Sequence, residues 1–130
     1  MESEMNSSEP PTDATSTATA TFHRAMLAGC QELKKHGYWP AYFHREVAVL
    51  GGVQAVKNLL AKKDASEGFS TLYSLGRLDL AVEVFVLRPE FEILFTDDER
   101  RVARTRLDAV GYDIDRYLKR LQSAAPRGYP

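Results

Sequence analysis

Apolar residues recur at helical spacing through most of the chain. Phe22, Met26, Cys30 and Leu33 follow one another at intervals of four, four and three residues, which places them on one face of a helix. Further stripes of the same kind occupy residues 43–50, 53–60, 69–73, 102–110 and 114–121. Glycines and capping residues separate these stripes, so the pattern predicts six or seven short helices packed around one core.

Capping signals mark where several of these helices begin. Pro40 suits the first turn of a helix, where its missing N–H costs nothing. Asp64, with Glu67 three residues later, has the spacing of an N-cap. Thr96 and Glu99 have the arrangement of a capping box, in which each side chain accepts a hydrogen bond from the backbone N–H of the other residue. The sequence therefore predicts helices that start near residues 40, 64 and 96.

Residues 78–87 are the ambiguous part of the pattern. They are rich in valine and alternate between apolar and other residues, which is typical of a strand, and residues 91–95 would pair with them in a hairpin. A lone hairpin is only marginally stable, and a helix that is apolar almost all round is buried. We therefore predict an all-α fold in which Pro89 ends a central buried helix. The alternative is an α+β fold with one small hairpin at residues 78–95.

The two ends of the chain differ in composition from the middle. Residues 1–21 are mostly Ser, Thr, Pro, Ala and Glu and have too little apolar surface to offset the entropy cost of ordering. We predict a disordered tail at residues 1–21, a single helical domain at residues 22–122 and a frayed C-terminus at residues 123–130.

Cysteine usage and hydropathy limit the class of protein. Cys30 is the only cysteine, so an intramolecular disulfide is impossible. No run approaches the roughly 18 apolar residues that a membrane span needs, and the first 21 residues carry no Lys or Arg and so do not form a signal peptide. We expect a cytoplasmic protein that does not act on a membrane.

Charge is unevenly distributed, although the net charge is only −1. Residues 21–63 hold seven basic and two acidic residues, whereas residues 1–20 hold four acidic residues and no basic one. A basic front half predicts contacts with phosphates. The candidate nucleic-acid-binding residues are Lys34, Lys35, Arg45, Lys57, Lys62 and Lys63.

Four aromatic residues flank Pro40: Tyr38, Trp39, Tyr42 and Phe43. Aromatic side chains supply much of the contact energy at protein interfaces. They predict an apolar face or groove that binds a protein partner, which is the alternative to nucleic acid.

Motifs for catalysis or cofactors are absent from the sequence. It has no zinc-ligand spacing, no phosphate-binding glycine loop and no Gly-x-Ser-x-Gly turn. Asp79 and Glu83 would share a face of one helix and are candidates for an acid/base or metal pair. Ion pairs with Arg77, or with an arginine among residues 100–106, account for them more simply. We expect that the protein is not an enzyme and that it binds no metal and no cofactor.

The middle of the chain carries a resemblance. Its most specific block is residues 76–80 followed by Glu83. The other residues of the pattern are Gly51-Gly52-Val53, Leu59-Leu60, Gly68-Phe69, Leu72, Leu94-Phe95, Glu99, Ala103-Arg104 and Leu107. This pattern resembles short helical bacterial segments of unassigned role that accompany conflict and mobile-DNA proteins. The resemblance implies a small non-catalytic bacterial or phage protein that acts by binding a macromolecular partner in defence or mobile-element biology.

Overall fold

Seven α-helices and two 3₁₀ helices make up residues 13–124, the part of the chain that the computed structural model describes. The α-helices are α1 (Asp13–Lys35), α2 (Ala41–Leu50), α3 (Gly52–Leu60), α4 (Glu67–Leu75), α5 (Val82–Val86), α6 (Asp97–Ala109) and α7 (Ile114–Ala124). The 3₁₀ helices are Leu78–Leu80 and Pro89–Leu94. The described residues contain no strand. The fold is thus an all-α bundle as predicted, and the alternative hairpin at residues 78–95 is wrong.

Helix α1 forms the centre of the bundle and contacts α2, α3 and the second 3₁₀ helix. Its predicted stripe from Phe22 to Leu33 is buried. Phe22 is fully buried and meets the rings of Phe91 and Phe95 edge-on, with centroid distances of 5.0 and 5.2 Å. Edge-to-face geometry of this kind adds stability beyond the area buried, so these contacts fix the second 3₁₀ helix against α1.

The start of α1 corrects the predicted tail. The helix begins at Asp13, so residues 13–21 are helical and not part of a tail. Ala18 lies one turn before Phe22 and is also buried, so the stripe extends into a segment that composition alone marked as unstructured. Residues 1–12 lie outside the described residues. At the other end, Ser123 and Ala124 belong to α7, and residues 125–130 are likewise outside the described range.

The predicted caps are confirmed at α6 but wrong at α4. Thr96 and Glu99 form the reciprocal capping box, with hydrogen bonds of 2.9 and 3.1 Å. At α4 the N-cap is Ser66, whose Oγ accepts the Phe69 N–H, and not Asp64. The helix starts at Glu67, which leaves Asp64 outside the first turn.

Residues 78–87 are helical but do not form the predicted continuous helix. Ala81 is extended (φ −69°, ψ 145°) and separates the 3₁₀ helix Leu78–Leu80 from α5. Leu78, Val84 and Val86 are buried on either side of this break. No single helical face presents all the buried positions of this segment. The chain buries them with two short helices that meet at Ala81. None of the described helices is both long and apolar enough to cross a membrane.

Candidate binding groove

An apolar groove of about 480 Å³ opens between α1, the segment 38–43 and α4. On the α1 side it is lined by Ala25, Gly29, Cys30 and Leu33. Phe69 and Leu72 of α4 and residues in and before α5 also line it. We call this feature the groove. Its volume lies in the range of cavities that bind ligands or anchoring side chains, roughly 300–1,000 Å³.

The four aromatic residues predicted to contact a protein all line the groove. Tyr38 and Phe43 are half-buried, whereas Trp39 and Tyr42 are 41% and 61% exposed. The turn after α1 places them there: Gly37 has φ +85°, and the Tyr38 N–H donates to the Leu33 carbonyl at 3.0 Å. This turn ends α1 and folds the chain back over its apolar face. The aromatic residues thus form one rim of the groove.

Gly29 keeps the floor of the groove open. It lies inside α1, and a Cβ built on it would meet no atom within 4 Å. Ala25, one turn earlier, also lines the groove and adds only a methyl group. Glycine inside a helix costs about 0.5–1 kcal/mol relative to alanine. Helix α1 therefore has its least favourable helix residue at the point where a side chain would narrow the groove.

Cys30 lies in the groove wall but is not an activated nucleophile. The residue is 2% exposed, and burial raises the pKa of its thiol to about 11, so the thiol stays protonated at neutral pH. His23 does not face it as a base, because its Nδ1 accepts the Gly52 N–H at 3.0 Å. The arrangement supports no thiolate chemistry.

One residue that lines the groove, Glu83, belongs to a buried ion pair. Glu83 is 2% exposed, and its Oε2 lies 3.3 Å from Nη1 of Arg106 on α6. Burial raises the pKa of Glu83, while the Arg106 guanidinium acts in the opposite direction. Arg106 also donates to the carbonyls of Leu59 and Lys62, at 3.2 and 2.7 Å. One guanidinium thus ties the end of α3 to α5 and α6.

Asp79 has a separate partner. Its carboxylate receives two hydrogen bonds from Arg77, at 2.9 and 3.0 Å, which is one of the structural ion pairs predicted from the sequence. The break at Ala81 puts Asp79 and Glu83 in different elements, so the shared helical face expected for them is wrong. Among the described residues there is no group of three or more His, Cys, Asp or Glu side chains that could hold a metal ion.

The six basic candidates fall into two groups. Two of them are in ion pairs: Lys57 with Glu99 at 2.7 Å and Lys35 with Glu32 at 3.6 Å. Lys34, Arg45, Lys62 and Lys63 are exposed, and no carboxylate lies within ion-pair distance of them in the described part of the chain. The structure therefore does not leave all six free to contact phosphates.

Sequence reasoning missed Gly29 as a residue of this site, although a glycine in the middle of a strong helical stripe was a detectable signal. Arg106 was one of the arginines among residues 100–106 that could pair with Asp79 or Glu83. The structure pairs it with Glu83, 23 residues away in the chain. Comparisons of the chain with protein-family models, with curated proteins and with solved structures find no match in any of the three.

Proposed function

We propose that this protein is a non-catalytic interaction module that binds a short apolar segment of a partner protein in the groove. The observation that carries the proposal is an open apolar groove whose rim exposes Trp39 and Tyr42. Such grooves bind amphipathic helices or extended segments through a few bulky side chains. Exposed aromatic residues at the rim are the type of residue that dominates such contacts.

Three features favour a protein partner over nucleic acid. Lys57 is half-buried and paired with Glu99, and Lys35 is paired with Glu32. The groove is apolar, whereas phosphate recognition depends on free cations and polar donors. All four aromatic residues line this one apolar groove, so they are placed to contact the same short segment of a partner.

The same contacts support a binding role over catalysis. Asp79 and Glu83 each have an arginine partner, and the thiol of Cys30 stays protonated at neutral pH. Neither carboxylate is left free as a general acid or base. The module therefore acts by holding a partner, and we propose that it uses no metal or cofactor.

The biological setting is proposed from the resemblance alone. Segments of this pattern accompany bacterial conflict and mobile-DNA proteins, so we propose a bacterial or phage protein that works in the cytoplasm in defence or mobile-element biology.

Selection of peptides on the full chain tests the function. A displayed library of random peptides of about 12 residues, enough for three helical turns, is selected on the wild type, on Gly29→Phe and on Ala28→Phe. The first variant fills the groove. The second adds the same ring to the neighbouring exposed position of α1, which does not line the groove, and is the matched control.

We expect peptides with bulky apolar residues that bind the wild type and Ala28→Phe alike and bind Gly29→Phe at least about tenfold more weakly, equivalent to 1.4 kcal/mol. Trp39 is the only tryptophan, so its fluorescence reports binding at the rim directly. Peptides that bind both variants equally, or no selected peptides at all, would overturn the proposal. DNA binding that persists in Gly29→Phe and weakens steeply with salt would support the nucleic-acid alternative instead.

A further inference from the structure

The charges around the groove indicate which partner segment it takes. Lys62 lines the groove, and the cationic groups of Lys34 and Arg45 lie over two of the aromatic rings that line it. Lys34 Nζ is 5.7 Å from the centroid of Trp39, and the Arg45 guanidinium carbon is 6.0 Å from the centroid of Tyr42. Contacts of this kind hold a cation near the face of a ring, so these two charges are placed beside the groove.

These three cations are not neutralised within the described part of the chain. Lys34, Arg45 and Lys62 have no carboxylate within ion-pair distance there, in contrast to Lys35 and Lys57. Two acidic residues line the groove: Glu83 is buried and paired with Arg106, and Glu67 is exposed. Glu46 lines an adjoining cavity together with Tyr42, Phe43 and Lys62, so Glu67 and Glu46 offset two of the three charges. The groove is apolar inside and has a net positive edge.

We propose that the partner is a protein segment in which one or more bulky apolar residues are flanked by Asp or Glu. The inference rests on the proposed function and adds the charge of the partner to it. The apolar residues enter the groove, and the flanking carboxylates lie near Lys34, Arg45 and Lys62. Complementary charges at the edge of an apolar contact raise the rate of association and exclude partners of the wrong sign. A segment with basic flanks would meet three unpaired cations and bind more weakly.

The test repeats the peptide selection with the full chain and two charge-reversed triple variants. The first carries Lys34→Glu, Arg45→Glu and Lys62→Glu together and is called the rim triple. The control is Arg116→Glu, Lys119→Glu and Arg120→Glu on α7, where all three residues are exposed and none lines the groove. Both triples change the net charge by the same amount, so a difference between them reflects position and not overall charge. Circular dichroism of each variant establishes that it is folded.

We expect the wild type and the α7 triple to select peptides with acidic residues beside the apolar anchor, and the rim triple to lose that preference. A selected peptide and its Glu→Gln counterpart should differ about tenfold in Kd on the wild type, since a few screened pairs each contribute several-fold or less. That difference should shrink between about 0.1 M and about 1 M salt, across which the Debye length falls from about 10 to about 3 Å.

Two results overturn the inference in different ways. Groove-dependent peptides without an acidic bias, or with the same bias on the rim triple, would remove the charge rule and leave the proposed function intact. Peptides whose binding does not respond to Gly29→Phe would remove the proposed function and the charge rule together. An acidic bias that the α7 triple abolishes as completely as the rim triple would mean that the overall charge of the protein, and not the rim, selects the partner.

Discussion

One side of helix α1 packs closely against α3, and we call it the closed side; another side borders the groove, and we call it the open side. A glycine lies at each: Gly52 of α3 at the closed side and Gly29 of α1 at the open side. Where α3 begins, Gly52 packs so closely that a Cβ on it would lie 2.9 Å from the Cα of His23 and 3.2 Å from Cγ of Met26. Gly29 lies on α1 itself, less than two turns after His23, and a Cβ on Gly29 would meet nothing within 4 Å. The same residue type thus serves close packing at one site and leaves space at the other.

The difference bears on function because protein interiors are normally filled. Cores pack at the density of organic crystals, and voids larger than a water molecule are few. The side of α1 that contacts α3 is packed in this way, whereas the other side borders a groove that opens at the surface. An open groove beside a tightly packed core, with glycine where the helix would be more stable with alanine, is consistent with the proposal that a partner binds in the groove.

Arg106→Ala gives the largest expected effect and tests the buried pair that holds Glu83, a residue lining the groove on the open side of α1. It leaves Glu83 buried without its cation and removes hydrogen bonds to two carbonyls. Removal of one partner of a buried pair costs about 3–5 kcal/mol, measured as the free energy of unfolding in urea at about pH 7.

The pH dependence of Arg106→Ala checks the cause of the loss. Burial already raises the pKa of Glu83, so the folded protein holds that proton at a pH where the unfolded chain has lost it. Stability from this group is therefore fully present below the ordinary Glu pKa and is lost as the pH rises through the folded value. Arg106 lowers the pKa of Glu83, so its removal raises that pKa further and strengthens this dependence. The variant should therefore lose less stability at about pH 5 than at about pH 8. A loss below about 1 kcal/mol would contradict the structural role of the pair.

Gly52→Ala tests the closed side. Its methyl group would clash with backbone of α1, which cannot move aside as a flexible side chain can. Overpacking of this kind costs about 1–3 kcal/mol, with backbone clashes toward the upper end. We expect a thermal denaturation midpoint several degrees lower, about 4–8 °C per kcal/mol for a domain of this size. An unchanged midpoint would mean that α1 and α3 separate easily and that the two sides do not differ.

Glu99→Ala tests the junction between α3 and α6. Lys57 and the Thr96 N–H both donate to Glu99, at 2.7 and 2.9 Å. Partial burial raises the pKa of Glu99, but these hydrogen bonds outweigh it and hold the pKa below its ordinary value. Loss of the cap and the pair together should cost about 1–2 kcal/mol.

The pH dependence of this variant has the opposite sign to that of Arg106→Ala. Because the folded pKa of Glu99 is lowered, its contribution is present above the ordinary Glu pKa and is lost as the pH falls through the folded value. Urea unfolding at neutral and acidic pH should therefore show a smaller difference from the wild type in acid. Thr96→Ala, which removes only one half of the capping box, is the control and should cost less.

Gly29→Ala gives the smallest effect and has the opposite direction. Alanine is the better helix residue, and its methyl group meets no neighbour, so the unfolding free energy should rise by about 0.5–1 kcal/mol. Peptides selected on the wild type should bind this variant no better, and those with the largest anchors more weakly. A destabilised Gly29→Ala protein would show that the space above Gly29 is not open.

Local sequence signals were enough for most of the helices. The stripe from Phe22 to Leu33, the glycine after α1 and the capping box at Thr96 each depend on residues within a few positions of one another, and local hydrogen bonds and helical periodicity determine them. Local signals failed where contacts between distant residues determine the structure. Residues 13–21 are helical in a segment whose buried Ala18 continues the stripe, and Ala81 breaks residues 78–87 because their buried positions do not share one helical face.

The candidate site shows the same division. The sequence alone singled out Tyr38, Trp39, Tyr42 and Phe43 as contact residues and Arg77 with Asp79 as an ion pair, because these residues are neighbours in the chain. It did not determine that the aromatic residues line a groove with Gly29 at its floor. It also did not determine that Glu83 pairs with Arg106 or that Glu99 takes Lys57, which are separated by 23 and 42 residues. Helix packing brought these residues together, and packing geometry is a property of the whole core that no local spacing records.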